Sequence, residues 1–409
     1  MRRTTICLVA VILLTSAPIT TKTARVSAQA RADWKKRIDR LVSRHRIGVA
    51  VREDGRVLYR HAATAKRIPA SNQKLLMSMA LLDRLGPDHV IETTIAGESE
   101  ITGELKDDLW ILGRGDPTTT SERRYTRSLP VAATKIKAIA RAIRDAGITR
   151  VQGSIIGDTG YFARDWFAPG WKADFPREQC PLPSALTING NTNDQGHHVA
   201  DPELRAARAL TRRLKKMGIR VDGPPAAGDS PPDLNRFAAV ESEPISRLLE
   251  HVNRNSANFF AEVLGKRLGV EAQGRPGTIA KGAAAIEGWA RRHDVGVVAH
   301  DSSGLSYDNR VSPLGLVRLL GAAENEGWGR PFRETLAEAG RGTLDDRLNG
   351  VRVRAKTGTL QNISALSGYV WLRRSDTWGE FSILSSGMAK STAAHIEDRV
   401  VRILTRAAR

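Results

Sequence analysis

Three short strings constrain this 409-residue chain more than anything else in it: Ser71-Asn72-Gln73-Lys74, Ser256-Ala257-Asn258 and Lys356-Thr357-Gly358. The first opens a helical pattern. Pro69-Ala70-Ser71 leads into Leu75, Leu76, Met79, Leu82 and Leu85, and the run stops at Gly86-Pro87, which predicts a helix from Ser71 to about Leu85. Its apolar residues wrap nearly all round, so it is expected to be buried on most sides. Ser71 then lies at a helix start, where unpaired N–H groups and the positive dipole end favour a developing oxyanion. Lys74, three residues on, shares its face. A buried amine near another cation can lose enough basicity to serve as a base toward a serine hydroxyl. A capping serine followed by a lysine with its head in water leaves the same letters, so the string gains weight only beside the other two.

Ser256 and Asn258 fall between two apolar-periodic runs, Ile245, Leu248, Leu249, Val252 and Phe259, Phe260, Val263, Leu264. They are expected in a short break between helices, where a hydroxyl can relay a proton and an amide can orient a lysine. An ordinary Ser/Asn loop reads the same way. In the third string, Val351, Val353 and Ala355 alternate with Arg352, Arg354 and Lys356, a half-buried strand of period two. Gly358 is expected to leave room for a peptide substrate against the backbone. Lys356 can offer its ammonium to a substrate carboxylate, and the Thr359 N–H can complete an oxyanion hole.

In this order the strings match the S-x-x-K, S-x-N, K-T-G pattern of enzymes that acylate a serine with penicillin or a D-alanyl peptide. The chain resembles the low-molecular-mass class C penicillin-binding proteins, a D-alanyl-D-alanine carboxypeptidase/endopeptidase family. Further segments carry the likeness: Asp301-Ser302-Ser303-Gly304-Leu305-Ser306, with Ser302 where the family has glycine; Leu105 through Leu112 followed by Gly113-Arg114-Gly115-Asp116-Pro117; Gly153 to Asp158; Gly170-Trp171; and Asn189-Gly190-Asn191. The resemblance runs from about Leu41 to the C-terminus. It implies an α/β (α+β) fold of the serine β-lactamase/DD-transpeptidase kind, an antiparallel sheet flanked by helices with an inserted α/β domain. It implies catalysis by Ser71, Lys74, Ser256, Asn258 and Lys356, with substrate held by Thr357, Gly358 and Thr359. Asp158 and Phe162 resemble a family segment that receives the diamino acid side chain of a peptidoglycan stem peptide, and β-lactams are the implied inhibitors. Two departures stand out. Ala257 occupies a position that is often Asp, and Tyr307 a position that is often a substrate-contacting arginine.

Met1-Arg2-Arg3, an apolar run from Ile6 to Leu14 and Ala28-Gln29-Ala30 read as a secretory signal peptide over 1–30, leaving a soluble periplasmic enzyme. With Cys7 in that segment, Cys180 stands alone and no internal disulfide is expected. The formal charge of +19 favours anionic partners: wall polymers or anionic lipid before nucleic acid, because the basic residues are scattered.

A helix bearing Trp34, Ile38, Leu41 and Val42 is followed by a hairpin, 47–52 and 56–60, turned at Asp54-Gly55. Strands near 351–360, 364–373 and 379–386 precede a last helix with Ile396, Val400, Ile403 and Leu404. The two ends are therefore expected to build one catalytic domain, 31–90 with 241–409, and 91–240 to be inserted into it. Within the insertion, helices ending Ala146-Gly147-Ile148 and Met217-Gly218-Ile219 each lead into a short strand, an echo too faint to establish a repeat. Neither a G-x-S-x-G elbow nor an H-E-x-x-H helix occurs. His197-His198 reads as a surface pair and Gly113-Arg114-Gly115 as a turn, so no metal or cofactor is implied. A β-lactamase or esterase on the same fold is the rival enzyme; the long separation of Ser71 and Ser256 argues against it. A non-catalytic wall-binding scaffold is the other rival, and the intact motifs argue against decay.

Overall fold

The computed structural model describes residues 33–407. The expected signal segment and Cys7 lie outside these residues. Among those described, no helix is long and apolar enough to cross a membrane.

Both ends of the chain meet in one antiparallel sheet. Its six strands run in the order Ala337–Glu338, Val353–Leu360, Ile363–Leu372, Thr377–Ser386, Ile47–Glu53 and Arg56–His61. The N-terminal hairpin is seated on the C-terminal one by register pairs from Ile47↔Ser385 to Arg52↔Glu380. Its turn has Asp54 at φ 45° and Gly55 at φ 80°, the paired positive values of the turn type that matches strand twist. One sheet face is covered by the helix 33–42 and the helix Lys390–Ala407, through Trp34, Ile38 and Val42 against Ile396, Val400 and Leu404. The other face, through Ala365, Tyr369 and Leu384, joins a helical layer that includes Gln73–Leu85, Ile245–Arg254, Asn258–Gln273 and Pro313–Glu324.

Residues 92–241 form the other two sheets. A five-stranded one runs Asn235–Glu241, Glu92–Gly97, Leu109–Leu112, Ile155–Asp158, Ala226–Gly228, and a three-stranded one runs Glu104–Leu105, Arg150–Val151, Arg220–Val221. Helices Ile136–Asp145 and Pro202–Lys215 share their core through Ile139, Ile143, Leu210 and Leu214. Here the faint echo proves to be structural. The strand after each helix pairs in parallel with its counterpart, from Arg150↔Arg220 through Asp158↔Gly228, at a constant offset of 70 residues. Gly147 and Gly218 end their helices at φ 90° and 83°, backbone angles that glycine adopts without strain. This pairing is hard to read from sequence because its strands are too short to show a period.

Candidate active site

The predicted Ser71 helix divides in two. Ala70–Asn72 is a 3-10 turn, with Ala70 at φ 46°, and the α-helix proper runs Gln73–Leu85 to Gly86. The turn is gripped from two sides. Asn72 donates from Nδ2 to the Lys356 carbonyl at 2.9 Å, and Gln73 donates to the Asp301 carbonyl at 3.1 Å. Two glycines permit the approach. A Cβ on Gly358 would meet the Pro69 carbonyl at 2.8 Å and the Ala70 Cβ at 3.2 Å; one on Gly304 would overlap the Ala70 carbonyl. Gly358 is therefore needed to seat the Ser71 turn against the strand.

Lys74 is fully buried beneath the serine. Its Nζ lies 3.2 Å from Ser71 Oγ, 2.8 Å from Asn258 Oδ1 and 2.5 Å from the Ser303 carbonyl. Three acceptors saturate an ammonium's donors. Burial pushes its pKa down to about 8, while Asp301 and Glu262 pull the other way. The Lys74 amine is thus poised near neutrality within reach of the serine hydroxyl. Ser256, at φ 60°, occupies the expected break between the helices Ile245–Arg254 and Asn258–Gln273. Asn258 opens the second helix, and its Nδ2 donates to the Gln179 carbonyl at 3.2 Å, fixing which end of the amide faces Lys74.

Ser71, Ser256 and Asn258, with Lys74 buried behind them, line a cleft of about 420 Å³ together with Lys172, Phe175, Tyr307, Thr357, Thr359 and Gln361. The strand Val353–Leu360 pairs with Ala337–Glu338 at Arg354 and Ala355, and among the described residues its edge beyond Ala355 has no strand partner on that side.

Lys356 departs from expectation. It is fully buried, its amine donates to the Thr357 carbonyl at 2.9 Å, and it is not among the cleft-lining residues. Burial first, then Lys74 and Lys390, hold its pKa well below the usual lysine value. What the strand presents to the cleft is Thr357 and Thr359.

Asp158 and Phe162 also depart from expectation. Asp158 is buried, paired with Arg114 at 3.3 Å, and accepts from the Gly160 and Ser230 N–H groups at 3.1 and 3.2 Å. Phe162 is buried against Tyr161, with the Lys266 ammonium 5.4 Å from its ring. Neither lines the cleft. Their hydrogen bonds and packing are made inside the fold.

Two buried acids behind Lys74 escaped notice as functional residues. Asp301 organises the loop that supplies the Ser303 carbonyl, accepting from Trp171, Gly304, Ser306 and Asn309 at 2.7–2.9 Å. Glu262 accepts from the Ser302 and Ser303 N–H groups at 3.0 and 2.7 Å, and burial, then Asp301, push its pKa up. Its place one helical turn after Asn258 was the available signal. Ser302, where the resembling family has glycine, fits because Gly265 lies beneath it; a Cβ there would overlap the serine hydroxyl. Cys180 is free and buried beside Trp171 and Leu305.

Comparison with known proteins identifies the family of the chain. The profile of the D-Ala-D-Ala carboxypeptidase 3 (S13) family matches residues 35–195 and 189–407. The chain belongs to this family. This member of the S13 carboxypeptidases, and so of the low-molecular-mass class C penicillin-binding proteins, is 28% identical to a D-alanyl-D-alanine carboxypeptidase of an Actinomadura species over 85% of its own length and 78% of the relative's. It is 29% identical to carboxypeptidase DacB of Mycolicibacterium smegmatis over 78% and 71%. The fold superposes on penicillin-binding protein 4 of Haemophilus influenzae with a TM-score of 0.76 at 19% identity, covering 90% of this chain and 99% of that one. The α/β architecture of an antiparallel sheet flanked by helices is thus shared across the family.

Proposed function

We propose that this S13 carboxypeptidase acts outside the cytoplasm as a serine DD-peptidase on peptidoglycan stem peptides, through an acyl-enzyme on Ser71. The observation that carries the reading is Lys74 Nζ within 3.2 Å of Ser71 Oγ and 2.8 Å of Asn258 Oδ1 at the base of an open cleft. Neutral Lys74 takes the hydroxyl proton as Ser71 Oγ attacks the carbonyl of the penultimate D-alanine. The resulting oxyanion is met by the backbone N–H of Thr359 and that of Ser71 itself. Collapse breaks the amide, and the departing amine receives a proton through Ser256 from Lys74. Water then adds to the ester with the same base, releasing the shortened peptide as a carboxylate and restoring Ser71.

The unpaired edge beyond Ala355 suits a peptide laid down as an added strand. With Lys356 buried, the Thr357 hydroxyl is assigned to the substrate's terminal carboxylate, and Lys356 to holding the Thr357 carbonyl. The segment 91–240 is read as a domain inserted into the catalytic one, and β-lactams as inhibitors. The Haemophilus protein has been crystallised with a β-lactam.

Intact-mass measurement after incubation with a penicillin tests this. A long-lived adduct of one penicillin that is absent in Ser71→Ala is the expected result. Rapid release of hydrolysed drug would identify a β-lactamase, and no adduct would leave a non-catalytic wall-binding protein. Hydrolysis of D-alanyl-D-alanine peptides against cross-linked dimers separates carboxypeptidase from endopeptidase action.

A further inference from the structure

Away from the catalytic cleft, residues 120–137 and the end of the helix Pro202–Lys215 enclose a groove of about 800 Å³, against about 420 Å³ for the cleft. Arg123, Arg127, Lys135 and Lys137 line one side. Arg212, Arg213 and Lys216 line the other. Among the described residues, none of these seven cations is in an ion pair, and Arg213 Nε is buried with no hydrogen-bond partner. The groove has one carboxylate, Glu122, and it is turned to Arg205 and the Asn189 amide. Hydroxyls of Thr120, Ser121 and Thr126 complete the lining.

Seven unneutralised cations facing one concavity repel one another and raise the local concentration of anions. A helix C-terminus accounts for some basic residues near its dipole's negative end. It does not account for Arg123, Arg127, Lys135 or Lys137, which come from a different part of the chain. Guanidinium forks pair with the oxygens of phosphate or carboxylate groups. The shape narrows the ligand further. No aromatic residue lines the groove, so bases have nothing to stack on, which disfavours single-stranded nucleic acid. Among the described residues the large exposed apolar side chains are Val57 and Phe167, neither of them in the groove, so the groove lacks the apolar wedge that seats a surface in a bilayer.

We propose that this groove binds a linear polyanion bearing phosphate or carboxylate groups, read through its backbone charges alone. Resting on the reading of the enzyme as a peptidoglycan hydrolase, such a chain would be an anionic polymer of the cell envelope, holding the enzyme beside its substrate without occupying the cleft.

The test uses the full chain with short-chain inorganic polyphosphate and poly-glutamate as probes, titrated at several salt concentrations. Engagement of about four charges gives a log–log salt slope of about −3. Arg127→Gln/Lys137→Gln/Arg212→Gln, at three exposed positions, is expected to weaken binding by at least about tenfold and flatten that slope by about 2. Penicillin acylation should be unchanged. The control is Arg37→Gln/Arg40→Gln/Arg399→Gln, exposed arginines around a different concavity of about 300 Å³, expected to lose less than about threefold. Equal losses in the two triple variants would overturn the groove and leave only general basicity. Tighter binding to an oligonucleotide of matched charge, or to phosphatidylglycerol vesicles alone, would also overturn it. The polyphosphate arm against the poly-glutamate arm identifies which anionic group is preferred. None of these outcomes depends on Ser71 chemistry, so failure here and failure of the catalytic reading are distinguishable.

Discussion

The Lys74 ammonium donates to Asn258 Oδ1 across 2.8 Å while standing 3.2 Å from Ser71 Oγ. One amine thereby ties the helix that follows Ser71 to the first residue of a helix 184 positions later in the chain. Ser71 and Lys74 were legible as an i, i+3 pair on a helix face. Their connection to Asn258 was legible only as an ordered set of motifs, because no local pattern encodes a contact over that separation.

Lys74 has to be neutral to accept the serine proton. With burial holding its pKa near about 8, acylation by a fluorescent penicillin should climb about tenfold per pH unit below that value and level off above it. Glu262→Gln keeps an acceptor for the Ser302 and Ser303 N–H groups but removes a carboxylate that raises the Lys74 pKa. The midpoint should therefore move to lower pH in that variant. A pH-independent rate in the parent, or a midpoint moving upward in the variant, would take the base role away from Lys74.

Gly358→Ala places a methyl 2.8 Å from the Pro69 carbonyl and 3.2 Å from the Ala70 Cβ. Overpacking of this kind costs about 1–3 kcal/mol, and here the strain falls on the turn that carries Ser71. Acylation should drop by more than the stability loss accounts for, read as kcat/KM beside a thermal melt of the same sample. Wild-type acylation would mean that the turn tolerates the shift.

Asp158→Ala should act through the fold. It removes the partner of Arg114 and the acceptor of two backbone N–H groups, a loss of about 1–3 kcal/mol per stranded group. A lower Tm is expected, with penicillin acylation and stem-peptide cleavage declining in parallel below the melt. Selective loss of peptide cleavage would restore Asp158 to the substrate site.

Among the described residues, Lys172 is the cation that lines the cleft. Its Nζ lies 2.8 Å from Gln361 Oε1 and 5.5 Å from the Tyr307 ring, and the Tyr307 hydroxyl accepts from the Gln361 N–H at 3.1 Å. The three link the loop after Gly304-Leu305-Ser306 to the end of the Val353–Leu360 strand. Lys172→Ala should raise KM for peptides with a carboxylate upstream of the D-alanines by about 5–50-fold, the worth of one partly exposed charge-assisted contact. Peptides amidated there should be much less affected. Equal effects on both would make Lys172 a wall residue without a charge role.

The first hairpin, the last three strands and the Ser256 break follow from periodicity and turn chemistry, and each is found within about two residues of its expected place; the short edge strand Ala337–Glu338 is not among the expected strands. The surroundings of Lys356, Asp158 and Phe162 are not legible in the sequence, for one reason. Each belongs to a motif-bearing segment, but what a side chain faces depends on what packs behind it. At these positions that is, respectively, the Thr357 carbonyl, Arg114, and Tyr161 with the Lys266 ammonium. The groove cations were present as scattered charge, and only the pairing of residues 120–137 with the helix Pro202–Lys215 gathers them.

Asn72 Nδ2 reaches the Lys356 carbonyl across 284 residues of chain. The strand that receives it is itself held through Ile363–Leu372 and Thr377–Ser386 to the first hairpin. A polypeptide still emerging from the ribosome therefore carries Ser71 for most of its synthesis without the wall that seats it. That seat is completed only with the last strands. A chain cut short anywhere before them would possess the serine and the lysine but no cleft in which to use them.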